Sequence, residues 1–376
     1  MKTSLVAISA VLGAAGAAHA GGIDRSTQSA MLLFEQGNYA EFTLGTLVPD
    51  VSGVEVSPFL GNQSSGSMAT DYTLFNGGVK FDMPNGFSGA VILDKPFGAD
   101  VDYPLDTDYF AEGSTATLDT GSITGLLRYT TPDQISVFGG VRYQTLSADA
   151  LIPFVTAGKG VPYPGAPYEA SGDESGEFGY VVGVGWEKPE IAAKVALTYN
   201  SAIDYEMATS ESSAIGSLDS TTPVTTPQSV NLDFQTGVAP GWLVFGSVRW
   251  VDWEQFEIAP EMYAQLTNGA ALVSYNGPTT TSTIGVGHQF NETWSGAVTY
   301  TYDTPLSGYQ SNLNPINGYN AVGLSATYTS GPFKVTAAAR YYALGDAETA
   351  VGQIAPAANF EDNDAMAFVL RVGYSF

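Results

Sequence analysis

The sequence predicts an all-β protein, a transmembrane antiparallel up-and-down β-barrel of about fourteen strands, and three observations support this. Segments of roughly ten residues with alternating apolar and polar side chains recur from Tyr39 to the end, which is the pattern of strands that face lipid on one side. The connections between these segments alternate strictly between short and long. The final strand, Phe368 to Phe376, has one uninterrupted apolar face and ends on an aromatic residue.

The start of the chain has the features of an export signal. Lys2 supplies a short basic region, Leu5 to Ala15 form an apolar run, and Ala18-His19-Ala20 is an A-x-A cleavage site. The apolar run is too short for a membrane-spanning helix. We therefore expect a signal peptide over residues 1–20, a short plug-like segment inside the barrel over 21–38 with a helix near Ser26–Phe34, and the barrel over 39–376.

The fourteen strands are predicted near residues 39–48, 69–83, 86–94, 119–131, 134–150, 176–188, 190–209, 227–238, 240–258, 279–289, 293–303, 319–329, 332–344 and 364–376. The tight connections are rich in turn-forming residues: Pro84-Asn85-Gly86, Pro132-Asp133, Pro189-Glu190, Pro240-Gly241, Asn291-Glu292 and Gly331-Pro332. Seven long connections alternate with them. Both termini then lie on the short-turn side of a barrel, whereas a soluble sandwich, the alternative for the terminal strand, gives no reason for such alternation.

Aromatic residues cluster beside the tight turns. Trp186 precedes one turn, and Trp242 and Trp294 each follow one. With Phe376 they predict an aromatic girdle at one membrane interface. The terminal Phe376 also resembles the signal that the bacterial barrel-assembly machinery recognises, so we expect that machinery to be a partner.

Composition excludes several classes of function. The chain contains no Cys, so disulfides, thiolate metal sites and Cys nucleophiles are excluded. A formal net charge of −25 argues against nucleic acid as a partner, since phosphates would be repelled. The acids cluster in predicted loops, where they are either a solvated surface or carboxylates that bridge divalent cations to lipid headgroups. No cluster has the spacing of a calcium-binding loop, and we expect neither a metal site nor a cofactor.

Side-chain parity predicts which residues face the lumen. An Arg at the bilayer midplane costs about 2–4 kcal/mol on the outer face of a barrel, so Arg249 should point inward. The same argument places Arg128, Arg142, Arg340 and Arg371 inside, with Lys80, Lys194 and Lys334. Apolar residues share these inner faces: Phe138, Leu243, Phe245, Val251 and Trp253.

Apolar walls with a few cations suit a ligand that has an apolar body and an acidic head. We therefore predict Arg142, Arg249, Arg340 and Arg128, together with the apolar inward residues, as a ligand site. The alternative is that the lumen is filled by its own side chains and loops, each Arg being paired with a structural acid.

Several tracts resemble the FadL family of outer-membrane transporters for long-chain fatty acids and other hydrophobic compounds. They are the stretch from Gly241 to Phe256, GWLVFGSVRWVDWEQF; the stretch Val195–Ser201, VALTYNS; Asp303-Thr304-Pro305; and Ser88–Gly98, which ends in Lys95-Pro96-Phe97-Gly98. The resemblance implies a fourteen-stranded barrel, an N-terminal plug, and a kink in the third strand that opens the wall laterally. Pro96 and Gly98 are the residues that would permit this kink.

The chain departs from the family at its start. Only residues 21–38 precede the first strand, and Gln28-Ser29-Ala30 stands where the family has Asn-Pro-Ala. The family's ligand-binding cations have no position-by-position match here. A reduced plug leaves a more open pore as an alternative.

We therefore expect passive transport of hydrophobic molecules, long-chain fatty acids or similar amphipathic compounds, with lateral exit. The protein would act as a monomer in the bacterial outer membrane, in contact with lipid and lipopolysaccharide. The alternative is a general diffusion porin for polar solutes, and a structural or adhesive barrel is a further one. An enzyme is not expected: His288 is the one His after the signal peptide, no nucleophile-elbow motif accompanies it, and an interfacial role suits its position.

Overall fold

The computed structural model describes residues 23–153, 156–157, 161–162, 167–352 and 354–376. Antiparallel strands dominate these residues and close into a single barrel. The predicted signal peptide over 1–20 lies outside the described residues.

Fourteen barrel strands follow one another around the wall, and three of them are divided into halves. They are β1 Tyr39–Asp50, β2 Tyr72–Asp82, β3a Phe87–Asp94, β3b Gly98–Asp102, β4 Thr115–Thr130, β5 Ile135–Ile152, β6 Tyr168–Lys188, β7a Ala193–Asn200, β7b Ile203–Ser213, β8a Gly216–Thr226, β8b Ser229–Ala239, β9 Trp242–Val251, β10 Thr279–Gln289, β11 Trp294–Asp303, β12 Tyr319–Ser330, β13 Phe333–Leu344 and β14 Asp364–Ser375.

Each strand pairs with its neighbour in sequence, and the first strand meets the last. Along β1 and β14, Tyr39 lies opposite Ser375 and Asp50 lies opposite Asp364. This pairing closes the sheet, so each barrel strand in the described part of the chain has a neighbour on both sides. The predicted fold class and strand number are confirmed.

Several predicted element boundaries differ from the structure, and three differences change which residues reach the lumen or the outer connections. The strand predicted over 240–258 ends at Val251, because the chain turns inward through the 3₁₀ helix Trp253–Gln255 and buries Trp253. The long connection over 210–226, between the strands predicted over 190–209 and 227–238, is largely strand, since β7b and β8a continue as a paired hairpin. The helix predicted near Ser26–Phe34 is reduced to the 3₁₀ turn Met31–Phe34.

The outside of the wall is apolar. In β9, Trp242 and Val248 are exposed whereas Leu243, Phe245 and Arg249 are buried, as parity predicts. Near the tight turns the exposed rings contact one another, for example Trp294 with Tyr328 and Phe81 with Phe376, at centroid distances of 5.1 and 5.9 Å. This is the arrangement expected of an aromatic girdle. In the described residues, no helix is both long and apolar enough to cross a membrane.

The long connections fold back over the end of the barrel opposite the tight turns. They contain a three-stranded sheet, Val54–Glu55, Ile354–Phe360 and Ala347–Val351, the paired segments Glu257–Ile258 and Val273–Ser274, and the helix α1 Glu261–Leu266. The carboxylate of Glu211, at the hairpin tip, accepts hydrogen bonds from the backbone N–H groups of Met262 and Tyr263 at 3.1 Å. Buried carboxylates of this kind fix the outer connections to the strands.

Residues 23–38 lie inside the barrel, as the sequence predicts. Ile23, Leu33 and Phe34 are buried, and the ring of Phe34 packs edge-on against Phe138 of β5 at 5.8 Å. We refer to residues 23–38 as the inner segment.

Candidate functional site

Arg249 is the main anchor of the inner segment. Its Nε and Nη2 donate to the two oxygens of Asp24 at 2.8 and 3.0 Å, and its other bonds reach Thr27, Gln28, Ser229 and Asn231. Both members of this ion pair are buried. The predicted inward orientation of Arg249 is therefore observed, but its donors are already occupied by the protein itself.

Other inward cations also hold the inner segment. Arg128 pairs with Glu187, donates to the carbonyl of Leu33 at 2.8 Å, and lies 4.0 Å above the ring of Phe34. Lys194 donates to the carbonyl of Phe34, and Lys80 donates to the carbonyls of Glu35 and Gly37 at 2.9 and 2.8 Å. These side chains thus supply hydrogen-bond donors to backbone carbonyls of the inner segment, which is not paired as a strand.

Arg142 and Arg340 are different, because no carboxylate of the described residues lies within salt-bridge distance of either. Arg142 is buried, and its Nε donates to Thr124 Oγ1 at 2.9 Å. Arg340 lies on the opposite wall, with its guanidinium 5.9 Å from the ring of Tyr342. The structure therefore does not bring the four predicted arginines together in one site. Their role in binding a ligand stays a prediction.

The predicted apolar residues all face inward but belong to two levels. Phe138 packs against the inner segment, whereas Val251 and Trp253 join a higher cluster with Phe97 and Tyr275. Trp253 is fully buried and donates from Nε1 to Thr279 Oγ1 at 3.1 Å. Leu243 and Phe245 are buried further down β9, toward the tight turns.

A cavity adjoins the higher cluster. Ile23 of the inner segment lies on its boundary, and the opposite parts come from the walls and the outer connections. The residues that line it are mainly apolar: Ile23, Ala99, Leu118, Ala148, Ala150, Ala170, Met207, Phe256, Ile258, Leu272, Val273, Tyr275 and Leu313. Its apolar lining is typical of a site for a small hydrophobic molecule.

The inside of this cavity carries no charge among the described residues. Asp149 is the one acidic residue along it, but its side chain is exposed and accepts a hydrogen bond from Ser171 Oγ at 2.6 Å. Burial raises the pKa of the Tyr275 phenol, so this wall stays neutral at pH 7. The apolar cavity is thus separate from the cations that hold the inner segment.

Two further cavities lie beside the apolar one. A wide outer cavity is lined by aromatic rings and amides, including Phe110, Tyr263, Tyr309 and Asn312, and shares Leu272 and Leu313 with the apolar cavity. A polar cavity lies between the inner segment and the wall, with Asp94 and Lys194 among its lining residues. The outer and apolar cavities are therefore neighbours, with Leu272 and Leu313 between them.

The wall is interrupted where β3a passes to β3b. Gly77 is the last residue of β2 paired with β3a, opposite Leu93, and pairing resumes only where Thr70 N–H contacts Asp100 O at 3.4 Å and Ala69 bridges Val101. Between these points, residues 71–76 and 94–99 share no backbone hydrogen bond in the described structure. We call this interval the side slot.

The inner segment replaces the missing pairing from inside. The carbonyl of Pro96 accepts hydrogen bonds from the N–H groups of Arg25 and Ser26 at 2.8 and 3.2 Å, and Gly98 N–H donates to Ile23 O at 2.9 Å. The Phe97 ring points inward and packs on Trp253 at 5.7 Å. Pro96 and Gly98 are thus at the interruption that the sequence permits.

Sequence reasoning missed Asp24, Arg25, Tyr72 and Phe97 as functional candidates. One signal was present: Asp24 and Arg25 are adjacent opposite charges, followed by an uncharged stretch to Phe34. A charged pair next to an uncharged segment inside a lumen needs buried partners. The partners themselves lie on distant strands, so the sequence alone does not identify them.

The remaining candidate residues, His288 and Phe376, make local structural contacts. His288 lies at a tight turn, with Nδ1 3.1 Å from the carbonyl of Gly241 and its ring 4.2 Å from that of Trp242. Phe376 is exposed, and its N–H donates to Asn38 O at 3.0 Å. Among the described residues, no group of three or more His, Asp or Glu side chains is arranged to hold a metal ion.

Comparison with known proteins identifies the architecture. No protein-family model and no curated protein sequence matches this chain. Solved structures do match: a FadL homologue from Pseudomonas aeruginosa, with TM-score 0.75, 15% identity and 92% of each chain covered; and the toluene transporter TodX of Pseudomonas putida, with 0.66, 11% and 92% of each. The toluene transporter TbuX of Ralstonia pickettii gives 0.60 and 12%, over 92% of this chain and 91% of that one. At these identities the likeness concerns the fold, and the chain has the fold of FadL-like barrels.

Proposed function

We propose that this protein is a passive channel of the bacterial outer membrane that takes up hydrophobic molecules. The observation that carries the proposal is an apolar cavity with no inward charge among the described residues. It shares lining residues with an outer cavity, has Ile23 of the inner segment on its boundary, and is lined by Ala99 beside the interruption in the wall. Structural neighbours are described as a FadL homologue and as toluene transporters, which supports the same class of cargo.

The route would have three stages. A hydrophobic molecule first enters the outer cavity, whose Phe110, Tyr263 and Tyr309 rings offer apolar surface. It then enters the apolar cavity, where displacement of water from its surface contributes about 25 cal/mol per Å². It leaves sideways through the side slot into the membrane, since the inner segment occupies the direct path to the tight-turn side.

Within this class, the cavity favours an uncharged cargo. A carboxylate would have to enter a site with no compensating cation among the described residues, and burial of an unpaired charge is costly. Long-chain fatty acids would require a head-group partner, and Arg142 is one of two buried arginines, with Arg340, that have no carboxylate within salt-bridge distance among the described residues. We therefore rank neutral hydrocarbons above the fatty acids that the sequence suggests.

Paired binding measurements test two claims: that the protein binds hydrophobic molecules, and that it prefers neutral hydrocarbons to fatty acids. Purified, refolded protein would be titrated with toluene and with palmitate, each displacing the fluorescent probe N-phenyl-1-naphthylamine. We expect saturable displacement by toluene, unchanged in an Arg142→Met variant. If palmitate displaces the probe and Arg142→Met weakens it about tenfold, equivalent to ~1.4 kcal/mol, then Arg142 anchors a carboxylate and the ranking is wrong. Absence of saturable binding by either ligand would refute the hydrophobic channel.

A general diffusion porin remains the second candidate because of the polar cavity beside the inner segment. A porin would give a large, steady single-channel current in planar bilayers. The proposed hydrophobic channel should give little steady current, because the inner segment lies across the lumen and is bonded to several strands of the wall.

A further inference from the structure

Arg25 lies across the side slot. Its guanidinium carbon is 3.8 Å from the ring centre of Tyr72 on β2, and its Nη2 is 2.5 Å from Asp100 Oδ2 on β3b. Tyr72 and Asp100 belong to the two strands that the slot separates. A single side chain of the inner segment therefore joins both sides of the interruption.

Arg25 makes a different kind of contact on each side of the slot. The planar guanidinium stacks on Tyr72, which is buried, and the same group forms an ion pair with Asp100, whose side chain is 34% exposed. Arg suits both contacts because it is planar and remains charged. The ion pair is partly solvated, so it can break without stranding a fully buried charge.

The backbone at the slot makes room for this side chain. A Cβ added to Gly98 would lie 2.5 Å from Arg25 Nε and 2.7 Å from its Cδ. Gly at position 98 is thus needed for Arg25 to pass between the strands. A larger residue would displace the end of the Arg25 side chain while leaving its charge intact.

We propose that Arg25 is the latch of the side slot: its contacts with Tyr72 and Asp100 hold the slot closed, and their release opens the apolar cavity toward the membrane. This inference rests on the lateral exit in the proposed function. The neighbouring Ala99, on β3b, lines the apolar cavity, so movement at this point connects the cavity with the slot.

The first test measures access from the lipid and needs no cargo. The chain contains no Cys, so an Ala99→Cys variant carries one reactive thiol. In proteoliposomes, this thiol would be labelled with N-(1-pyrenyl)maleimide, which partitions into the bilayer. We expect labelling to be about tenfold faster when Arg25→Ala is added, the factor that corresponds to ~1.4 kcal/mol of lost contact. Labelling by a water-soluble maleimide from the outer mouth should not change.

Two control variants, Gly125→Ala and Lys95→Met, distinguish loss of the latch from a general loosening of the barrel wall. Gly98→Ala should accelerate lipid-phase labelling as Arg25→Ala does, whereas Gly125→Ala should not, because no atom lies within 4 Å of a Cβ at Gly125. Lys95→Met removes the exposed ion pair of Lys95 with Asp119, on the same segment but not across the slot, and should also have no effect.

The second test measures cargo release. Dissociation of N-phenyl-1-naphthylamine into excess vesicles should accelerate in Arg25→Ala and Gly98→Ala. Unchanged labelling and release in both variants, with the normal heat-dependent gel shift of a folded barrel, would overturn the latch. Faster labelling without any probe binding in the wild type would support the latch and refute the proposed cargo. Equal acceleration by Gly125→Ala or Lys95→Met would overturn it as well.

Discussion

Replacement of Arg249 by Ala should release the inner segment and raise the steady ionic conductance of the barrel. In the wild-type chain, Arg249 makes six hydrogen bonds, four of them to Asp24, Thr27 and Gln28 of the inner segment. The substitution leaves the Asp24 carboxylate buried without its partner. The barrel wall should persist, because its strands are held by their own backbone hydrogen bonds.

The magnitude follows from burial of the ion pair. Removal of one partner from a buried pair costs about 3–5 kcal/mol. At about 1.4 kcal/mol per factor of ten, this corresponds to a shift of about 100-fold to about 4,000-fold in the docking equilibrium of the inner segment. The side chains of Arg249 and Asp24 are 5% and 11% exposed, so residual hydration of Asp24 places the effect toward the lower end of that range.

Steady conductance in planar bilayers is the direct assay. Arg249→Ala should raise it, and the double variant with Asp24→Asn should restore part of the closed state, since no unpaired carboxylate remains. Arg340→Ala is the control, because it removes another inward arginine for which the structure gives no contact with the inner segment. A current as low as that of the wild type in Arg249→Ala, or an equal rise in Arg340→Ala, would refute the reasoning.

The other predictions concern the cavity wall and the end of the chain. Trp253→Ala should lower the free energy of unfolding by about 3–5 kcal/mol and admit bulkier probes, because a fully buried ring in contact with Phe97 and Phe256 is removed; urea midpoints and probe displacement would check this, and an unchanged midpoint would contradict it. Deletion of Phe376 should reduce assembly in cells while detergent refolding stays near normal, as measured by the gel shift of heated and unheated samples; equal assembly in cells would show that the terminal ring is not an assembly signal.

The parts of the fold that follow from local physics were predictable. Alternation of side chains indicates strands, and the cost of a charge in lipid orients Arg249 and Arg142 inward. The tight turns and long connections then give the order and direction of the strands. The even strand number permits antiparallel closure between β1 and β14, and the cost of unpaired backbone groups in lipid favours it over an open sheet.

The site was only partly predictable, because its contacts join distant parts of the chain. Arg249 and Asp24 are separated by 225 positions, and no local pattern pairs them. Parity places Arg249 in the lumen but does not say whether a ligand or the protein occupies its donors. Likewise, Pro96 and Gly98 permit an interruption of β3, but the role of Arg25 within it depends on three-dimensional packing.

The side slot is bounded by paired wall at both ends, which limits its shape. Between its bounding contacts at Thr70, just before β2, and Gly77 in β2, it spans at most about 24 Å at ~3.4 Å per residue. Because strand pairing holds both ends, the slot can widen only across the strands, whose paired neighbours lie about 4.8 Å apart. An aperture that is long and narrow discriminates by the thinnest dimension of a molecule and tolerates variation in its length. A flat ring or an extended chain could pass edgewise, whereas a globular hydrophobe of equal volume could not.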